Sequence, residues 1–322
     1  TGRHETDITN ASRTLLFNIN DGAWDPMLLS VLGIPPQILP KIRSSSDDFG
    51  VTMPEIFGVS IPVSGVIGDQ QAALFGHACF SPGMVKNTYG TGCFSLLNTG
   101  SKPVWSKNNL LTTVAWRVDG KTTYALEGSV FIAGAVIQWL RDDMQFIETA
   151  EESEEISRSI PDTCGVYLVP AFVGLGAPYW DPDARGTIVG ITRGITRSHL
   201  VRAALESIAY QSEDLIAAMG TDFGKPIESI KADGGATANS FLMQFQADIS
   251  GRPVMLPEIA ESTALGAAYM AGLSCGYWGG FDEIENNWRL KRRFEPDMNE
   301  KDRLNRLAFW HKAVQAAREY KK

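Results

Sequence analysis

Apolar positions along this chain switch between two spacings, and the switches mark its elements. After Asp25-Pro26, a cap and first-turn pair, MLLSVLGI reads as a helix that stops at Gly33. The run IPVSGVIGD, Ile61 to Asp69, predicts a strand ending in Gly-Asp, and QQAALFGHA after it predicts a helix. Between Gly83 and Glu127 lie four strand-like segments, MVKNTYG, GCFSLLNTG, LLTTVAWRV and KTTYALE. Gly90, Gly92, Gly100 and Asp119-Gly120 separate them, which predicts antiparallel neighbours joined by tight hairpins. A helix is then expected over 128–143, a strand from Val166, and a long amphipathic helix, SHLVRAALESIAYQSEDLIAAM, capped at Ser198. SIKAD predicts a strand entering Gly234-Gly235, NSFLMQFQADI a helix, PVML a strand and STALGAAYMAGL a helix. The amphipathic stretch Asp302–Tyr320 predicts a last helix docked on the rest of the protein. Strands in series followed by alternating helices and strands predict an α/β fold with a mixed sheet flanked by helices.

Composition narrows the function classes. The 322 residues suffice for two domains, and 44% hydrophobic with 20% charged residues is globular. A net charge of −8 argues against nucleic-acid binding, which needs a basic face. The most apolar stretch, Val130–Leu140, contains Gln138 and falls short of the about 20 apolar residues of a membrane span. Cys79, Cys93, Cys164 and Cys275 show no CxxC spacing and no nearby His at zinc-ligand distance, so free, mostly buried thiols are expected. With no apolar targeting segment before Thr14, a cytoplasmic protein is expected.

Three places combine glycine with polar residues at expected strand ends, where α/β sheets gather ligands. Asp69, in Gly68-Asp69-Gln70, can take a proton from a hydroxyl or can simply cap the next helix. Tyr89-Gly90-Thr91-Gly92 can turn N–H groups and a hydroxyl toward phosphate, or can be a plain hairpin turn. Asp233-Gly234-Gly235-Ala236, with Asn239 in the following first turn, allows close approach of an anion or a polar ring edge to a helix start. Gly134 and Gln138, four apart, share a helical face that can flank a ligand or pack.

In this order the segments resemble one family. GDQQAALFGHACFSPGMVKNTYGTGCFSLLNTG, PAFVGLGAPYWDPDARGTIVGITRG and DGGATANSFLMQFQADISGRPV are similar to the FGGY family of sugar and polyol kinases, over about Asp7 to Trp278. NTYGTGCF, ALEGSVF, GLGAPYWDP and TDITNASRT resemble its glycerol-phosphorylating members. The resemblance implies an actin/hexokinase-like (ribonuclease H-like) fold whose two domains bring ATP and substrate together in a cleft. It implies a first-domain remnant over 1–76, a second, nucleotide-side domain over 83–275 and a helical extension over 276–322. It implies Asp69 as catalytic base, Gln70 and Phe94 against glycerol, Thr91 near the terminal phosphates, Gly134 and Gln138 on the nucleotide, and Gly235 and Asn239 on the adenosine side. Mg²⁺ is implied to arrive on ATP, keeping several waters, with no dedicated ligand cluster. A homo-oligomer is also expected.

Relatives of this family are longer, and the chain opens TGRHETD without Met and without an early phosphate loop. It therefore reads as the C-terminal portion of a longer kinase, expected by itself to have little activity and to expose apolar surface. Trp180 is expected as a buried structural ring, Arg185, Arg193 and Arg197 as surface partners of Asp181 or Asp183, and His77 and His199 as structural or exposed. The acidic run Glu151–Glu155 is expected as a solvated helix face. Two other readings stand beside glycerol phosphorylation: a family kinase acting on a pentose, tetritol or dihydroxyacetone, and a non-catalytic nucleotide-binding module. Retention of Asp69 argues against the module, which needs no base.

Overall fold

Gly90 and Gly92 break the run from Val85 to Gly100 into two strands that fold back on each other, and this hairpin is the centre of the molecule. The computed structural model describes residues 1–320. Its main sheet contains β1 (Val85–Tyr89), β2 (Cys93–Gly100), β3 (Leu111–Val118), β4 (Lys121–Val130), β5 (Ile230–Asp233), β6 (Val254–Pro257) and β7 (Leu290–Phe294). The order is β7-β6-β5-β1-β2-β4-β3, with β5 parallel to β1 and β6 and the other pairs antiparallel. This is the mixed sheet that the alternation of elements predicts.

Side chains alternate across the pleat, so one face of the sheet carries two neighbouring rows of interest. Asp233, Thr88, Phe94 and Ser129 lie opposite one another, and Lys231, Lys86, Leu96 and Glu127 form the adjacent row. Over this face pack α1 (Asp69–Gly76) and α6 (Ser262–Ser274), through Leu74, Phe75, Tyr269 and Met270 against Leu96 and Trp116. The other face, with Val85, Tyr89, Cys93 and Leu97, is covered by α4 (Arg197–Phe223), through Leu205, Ile208 and Leu215. Between them in sequence come α2 (Gly134–Asp142), α3 (Glu152–Arg158) and α5 (Ser240–Ser250). The last helix, α7 (Glu300–Glu319), docks as expected: Trp310, Ala313, Val314 and Ala317 are buried, and the Trp310 indole N–H donates to Asp214 at 2.7 Å.

Several expectations change in detail. Residues 61–68 form no regular strand, because Pro62 has no N–H to donate. Val63 and Val66 donate instead to the carbonyls of Gly50 and Ser45, an irregular ladder held by one neighbour. The helix expected over 128–143 begins only at Gly134, since Ser129 and Val130 complete the ladder opposite Phe94 and Cys93. LLTTVAWRV is not the neighbour of the strand before it. The short Asp119-Gly120 turn ties β3 to β4, and β4 takes the place beside β2. The long helix α4 is capped by Thr196, two residues before Ser198, in a reciprocal box with His199. The strand near Val166, Tyr167–Val169, pairs with Thr187–Val189 in a separate small sheet. All four cysteines are free, yet Cys164 and Cys275 are exposed and only Cys79 and Cys93 are buried. Exposed apolar side chains gather over 51–61, at Val51, Met53, Ile56, Phe57 and Val59. Among the described residues, no helix is long and apolar enough to cross a membrane.

Candidate active site

At one end of the hairpin, the Gly90–Gly92 turn meets the start of α2. The N–H groups of Ala133 and Gly134 donate to the carbonyls of Thr91 and Gly90 at 2.8 and 2.9 Å, which locks turn and helix together. A β-carbon at Gly134 would stand 2.7 Å from the Gly90 carbonyl oxygen, so only glycine permits this approach. From the other side Gly234, with φ +93, brings the 233–236 segment against Tyr89, where a β-carbon would lie 2.4 Å from the Tyr89 carbonyl oxygen.

These close approaches leave a cavity of about 340 Å³ lined by Thr91, Gly134, Gln138, Gly235 and Asn239. All five residues expected on the nucleotide side therefore share one space, although they come from three well-separated segments. The apolar walls are Ile137, Leu205, Ile208 and Leu242; polar groups come from Arg141, Ser153 and Glu154. A mostly apolar cavity of this size with a few convergent polar groups suits a small ligand. The Thr91 hydroxyl is exposed and makes no hydrogen bond among the described residues, so it is available to an incoming oxyanion. Asn239 is the N-cap of α5: its Oδ1 accepts from the Leu242 N–H at 2.9 Å and its Nδ2 donates to Ser153 at 3.3 Å. The acidic run is thus more than a solvated face, since Glu151, Ser153 and Glu154 wall the cavity and Glu154 accepts the Ser240 N–H at 3.0 Å.

Asp69, Gln70 and Phe94 do not line this cavity. They stand on the sheet face covered by α1, alongside the rows of Thr88 and Lys86. Asp69 is the first residue of α1 and solvent-exposed; among the described residues its carboxylate accepts only the adjacent Gln70 N–H, at 2.7 Å, and Gly68 occupies the N-cap position. Capping therefore does not consume this carboxylate. Its approach is fixed from behind by TDITNAS: buried Asp7 accepts from the Thr9 hydroxyl at 2.6 Å and from Ser45 at 2.8 Å, and Thr9 Oγ1 accepts the Gly68 N–H at 2.8 Å. Phe94 is partly exposed on the same side.

Sequence reasoning missed one buried group beneath these residues, Lys86, and of its two expectations for His77, structural or exposed, the structure has the buried, structural one. Lys86 is fully buried on β1, and burial pulls its ammonium down to about 8. His77, just past α1, places Nε2 3.1 Å from Asp233. Burial lowers the His77 pKa, with Lys231 and Lys86 nearby acting in the same sense, and its buried Nδ1 has no partner for a second proton. Burial works against the charged form of Asp233, but the hydrogen bond from His77, with the charge of Lys86, holds it down to about 2. The consequence for His77 has a definite sign. The folded state keeps the ring neutral while the unfolded chain takes a proton below about pH 6.5, so stability is lost as pH falls through that value. His77→Gln is expected to flatten the fall in melting temperature between pH 7 and 5. An unchanged slope in a pH series of melting curves would sink this account.

Other expected surroundings differ. Trp180 is half exposed, with its indole N–H donated to the Asn109 carbonyl and its ring edge-on to Phe131. Asp181 is paired by Arg318 from the last helix at 3.1 Å, and Arg185 turns to the carbonyls of Pro182 and Ala184. His199 serves the Thr196 cap, as a structural residue.

The model of the FGGY family of carbohydrate kinases, C-terminal domain, matches residues 85–275, and that of its N-terminal domain matches 1–76. The chain is 59% identical over 314 residues to a glycerol kinase of Caldanaerobacter subterraneus subsp. tengcongensis, covering 98% of this chain and 63% of that protein. It is 58% identical to a glycerol kinase of Carboxydothermus hydrogenoformans, covering 98% of this chain and 64% of that protein. The crystal structure of Plasmodium falciparum glycerol kinase with ADP superposes with a TM-score of 0.92 at 39% identity, over 98% of this chain and 64% of that one. The chain thus spans somewhat less than two thirds of the length of these relatives.

Proposed function

We propose, for a chain that belongs to the FGGY family of carbohydrate kinases, that it carries the catalytic base and the nucleotide site of an ATP-dependent glycerol kinase forming sn-glycerol 3-phosphate. The observation that carries this reading is the juxtaposition across one hairpin. The five expected nucleotide residues gather in one cavity at its end, and on its flank stand Asp69 and Phe94, exposed, with half-buried Gln70. In this reading the adenosine lies against Ile137, Leu205, Ile208 and Leu242, near Gln138, Gly235 and Asn239, and the triphosphate runs toward the Gly90–Thr91 turn. Asp69 takes the proton of the glycerol hydroxyl as its oxygen attacks the terminal phosphorus, and ADP leaves. Gln70 hydrogen-bonds a second hydroxyl and Phe94 covers the carbon chain.

Mg²⁺ would arrive on the triphosphate with most of its waters kept. Mg²⁺ would supply charge neutralisation at the phosphates. Use of ATP accords with a cytoplasmic site, and the exposed apolar residues over 51–61 accord with self-association.

The test is phosphorylation by the protein as encoded by its gene, with Mg–ATP and either glycerol or five-carbon sugars. Glycerol is expected to give the higher kcat/KM, and a preference for a pentose would overturn the substrate assignment. The 322 residues alone are expected to bind Mg–ATP but to fall well below the roughly 1–100 s⁻¹ of ordinary kinases. Asp69 and Phe94 there face open water, and transfer depends on positioning in a water-excluded site.

A further inference from the structure

Lys86 has no part in the proton transfer or the nucleotide contacts, yet it is the buried group that ties the acceptor side together. Its Nζ donates to Gln70 Oε1 at 2.5 Å, to Thr88 Oγ1 at 3.0 Å and to the Phe94 carbonyl at 3.1 Å. Three hydrogens meet three acceptors, drawn from the start of α1, from β1 and from β2. An ammonium has donors only, so the Gln70 atom facing it must be the carbonyl oxygen, which removes the usual ambiguity of an amide. The Gln70 NH₂ group is thereby turned away from Lys86, and it makes no hydrogen bond among the described residues. The side chain is half-buried, so this end is reachable from the side of Asp69 and Phe94.

We propose that Lys86 is a positioning residue for the phosphoryl acceptor: it holds the Gln70 amide with its NH₂ group outward and so dictates that the acceptor polyol meets a hydrogen-bond donor there. The proposal rests on the reading of the chain as a glycerol kinase and specifies one hydrogen bond of that site. Lys86 also pins the backbone of Phe94, so the polar and apolar contacts to the polyol are set by the same atom. None of the carboxylates near it forms an ion pair with it among the described residues: Asp233 faces His77, Glu127 pairs with Arg13, and Asp69 accepts the Gln70 N–H. The lysine is therefore left to neutral oxygens, whose orientation it controls. A polyol hydroxyl can meet either end of a free Gln70 amide, but a free amide must be ordered on binding, whereas the held one presents its NH₂ group in place beforehand.

The test varies glycerol and Mg–ATP separately in the protein as encoded by its gene. Lys86→Met keeps the stem and removes the ammonium. It is expected to raise KM for glycerol about tenfold or more and KM for ATP by less than about twofold. In a Gln70→Ala background the same change is expected to raise the glycerol KM much less than in wild type, because the amide it orients is gone and only its hold on the Phe94 carbonyl remains. Lys86→Arg, which keeps the charge but splays its donors, is expected to fall between wild type and Lys86→Met. If melting curves show Lys86→Met unfolded, Lys86→Gln is measured in its place against the same criteria. An active wild type whose variant keeps its glycerol KM, or loses both KM values in proportion, overturns this proposal alone. A wild type that phosphorylates no polyol overturns the functional reading, and this one with it.

Discussion

Asp69→Asn is expected to slow glycerol phosphorylation about 10²–10⁴-fold while leaving Mg–ATP affinity unchanged. The amide has nearly the shape of the carboxylate and can still accept the Gln70 N–H that Asp69 accepts at 2.7 Å, so α1 should start in the same place. What it cannot do is take a proton. The hydroxyl then attacks with its proton still attached, and the whole contribution of general-base catalysis is lost. Nucleotide affinity should hold because Asp69 does not line the cavity that gathers Thr91, Gly134, Gln138, Gly235 and Asn239. The measurement is kcat for glycerol by ADP release, beside a calorimetric titration with Mg–ATP, in the protein as encoded by its gene. A loss of kcat under about tenfold would remove Asp69 from the role of base. A normal kcat would favour the non-catalytic view of this carboxylate.

Gly266→Val should be the most damaging single change to the fold. Helices α1 and α6 cross backbone to backbone. A β-carbon at Gly266 would sit 1.9 Å from the Ala72 carbonyl oxygen, and one at Gly76 would sit 2.0 Å from that of Ser262. Neither obstacle is a flexible side chain, so the helices themselves must separate. Separation would loosen Leu74, Phe75, Tyr269 and Met270, all buried in the same cluster. Overpacking of this kind costs about 1–3 kcal/mol and occasionally more, and backbone-to-backbone contact puts this site at the upper end. A fall in melting temperature on the order of 10 °C is expected for a chain of this size. Because α1 begins with Asp69, kcat should fall as well, even below the melting range. Gly194→Ala is the control, since nothing lies within 4 Å of the position its β-carbon would take. Equal melting temperatures for the two variants would show that the helix pair tolerates separation.

Part of the fold could be read from the residues alone because it is local, whereas the roles of the candidate site residues came with the family resemblance. Asp25 and Gly33 bound a helix through their own hydrogen bonds and handedness, and the structure has that helix at Pro26–Leu32. Gly90 and Gly92 had to be a turn. Gly234 was free to let a neighbour come close, but that the neighbour is the Tyr89 backbone is seen only in the structure. Other features resisted for a physical reason. Whether Ile61–Asp69 becomes a strand depends on a partner with matching register, and the one it meets ladders irregularly. Trp180 looks like a core ring in sequence, but its burial depends on what lies over it, and it is half exposed.

The hairpin turns, the cap at Asp25 and the mixed sheet come from the sequence alone, since each depends on side-chain type and near neighbours. Only the tertiary structure decided that Thr91, Gly134, Gln138, Gly235 and Asn239 share one cavity, that Asp69 is left free of capping, and that a lysine is buried beneath Gln70. A buried ammonium is tolerable only where acceptors converge on it, and here they come from residues 70, 88 and 94 on three elements. Convergence of that kind is a property of packing, and no local pattern in the chain encodes it.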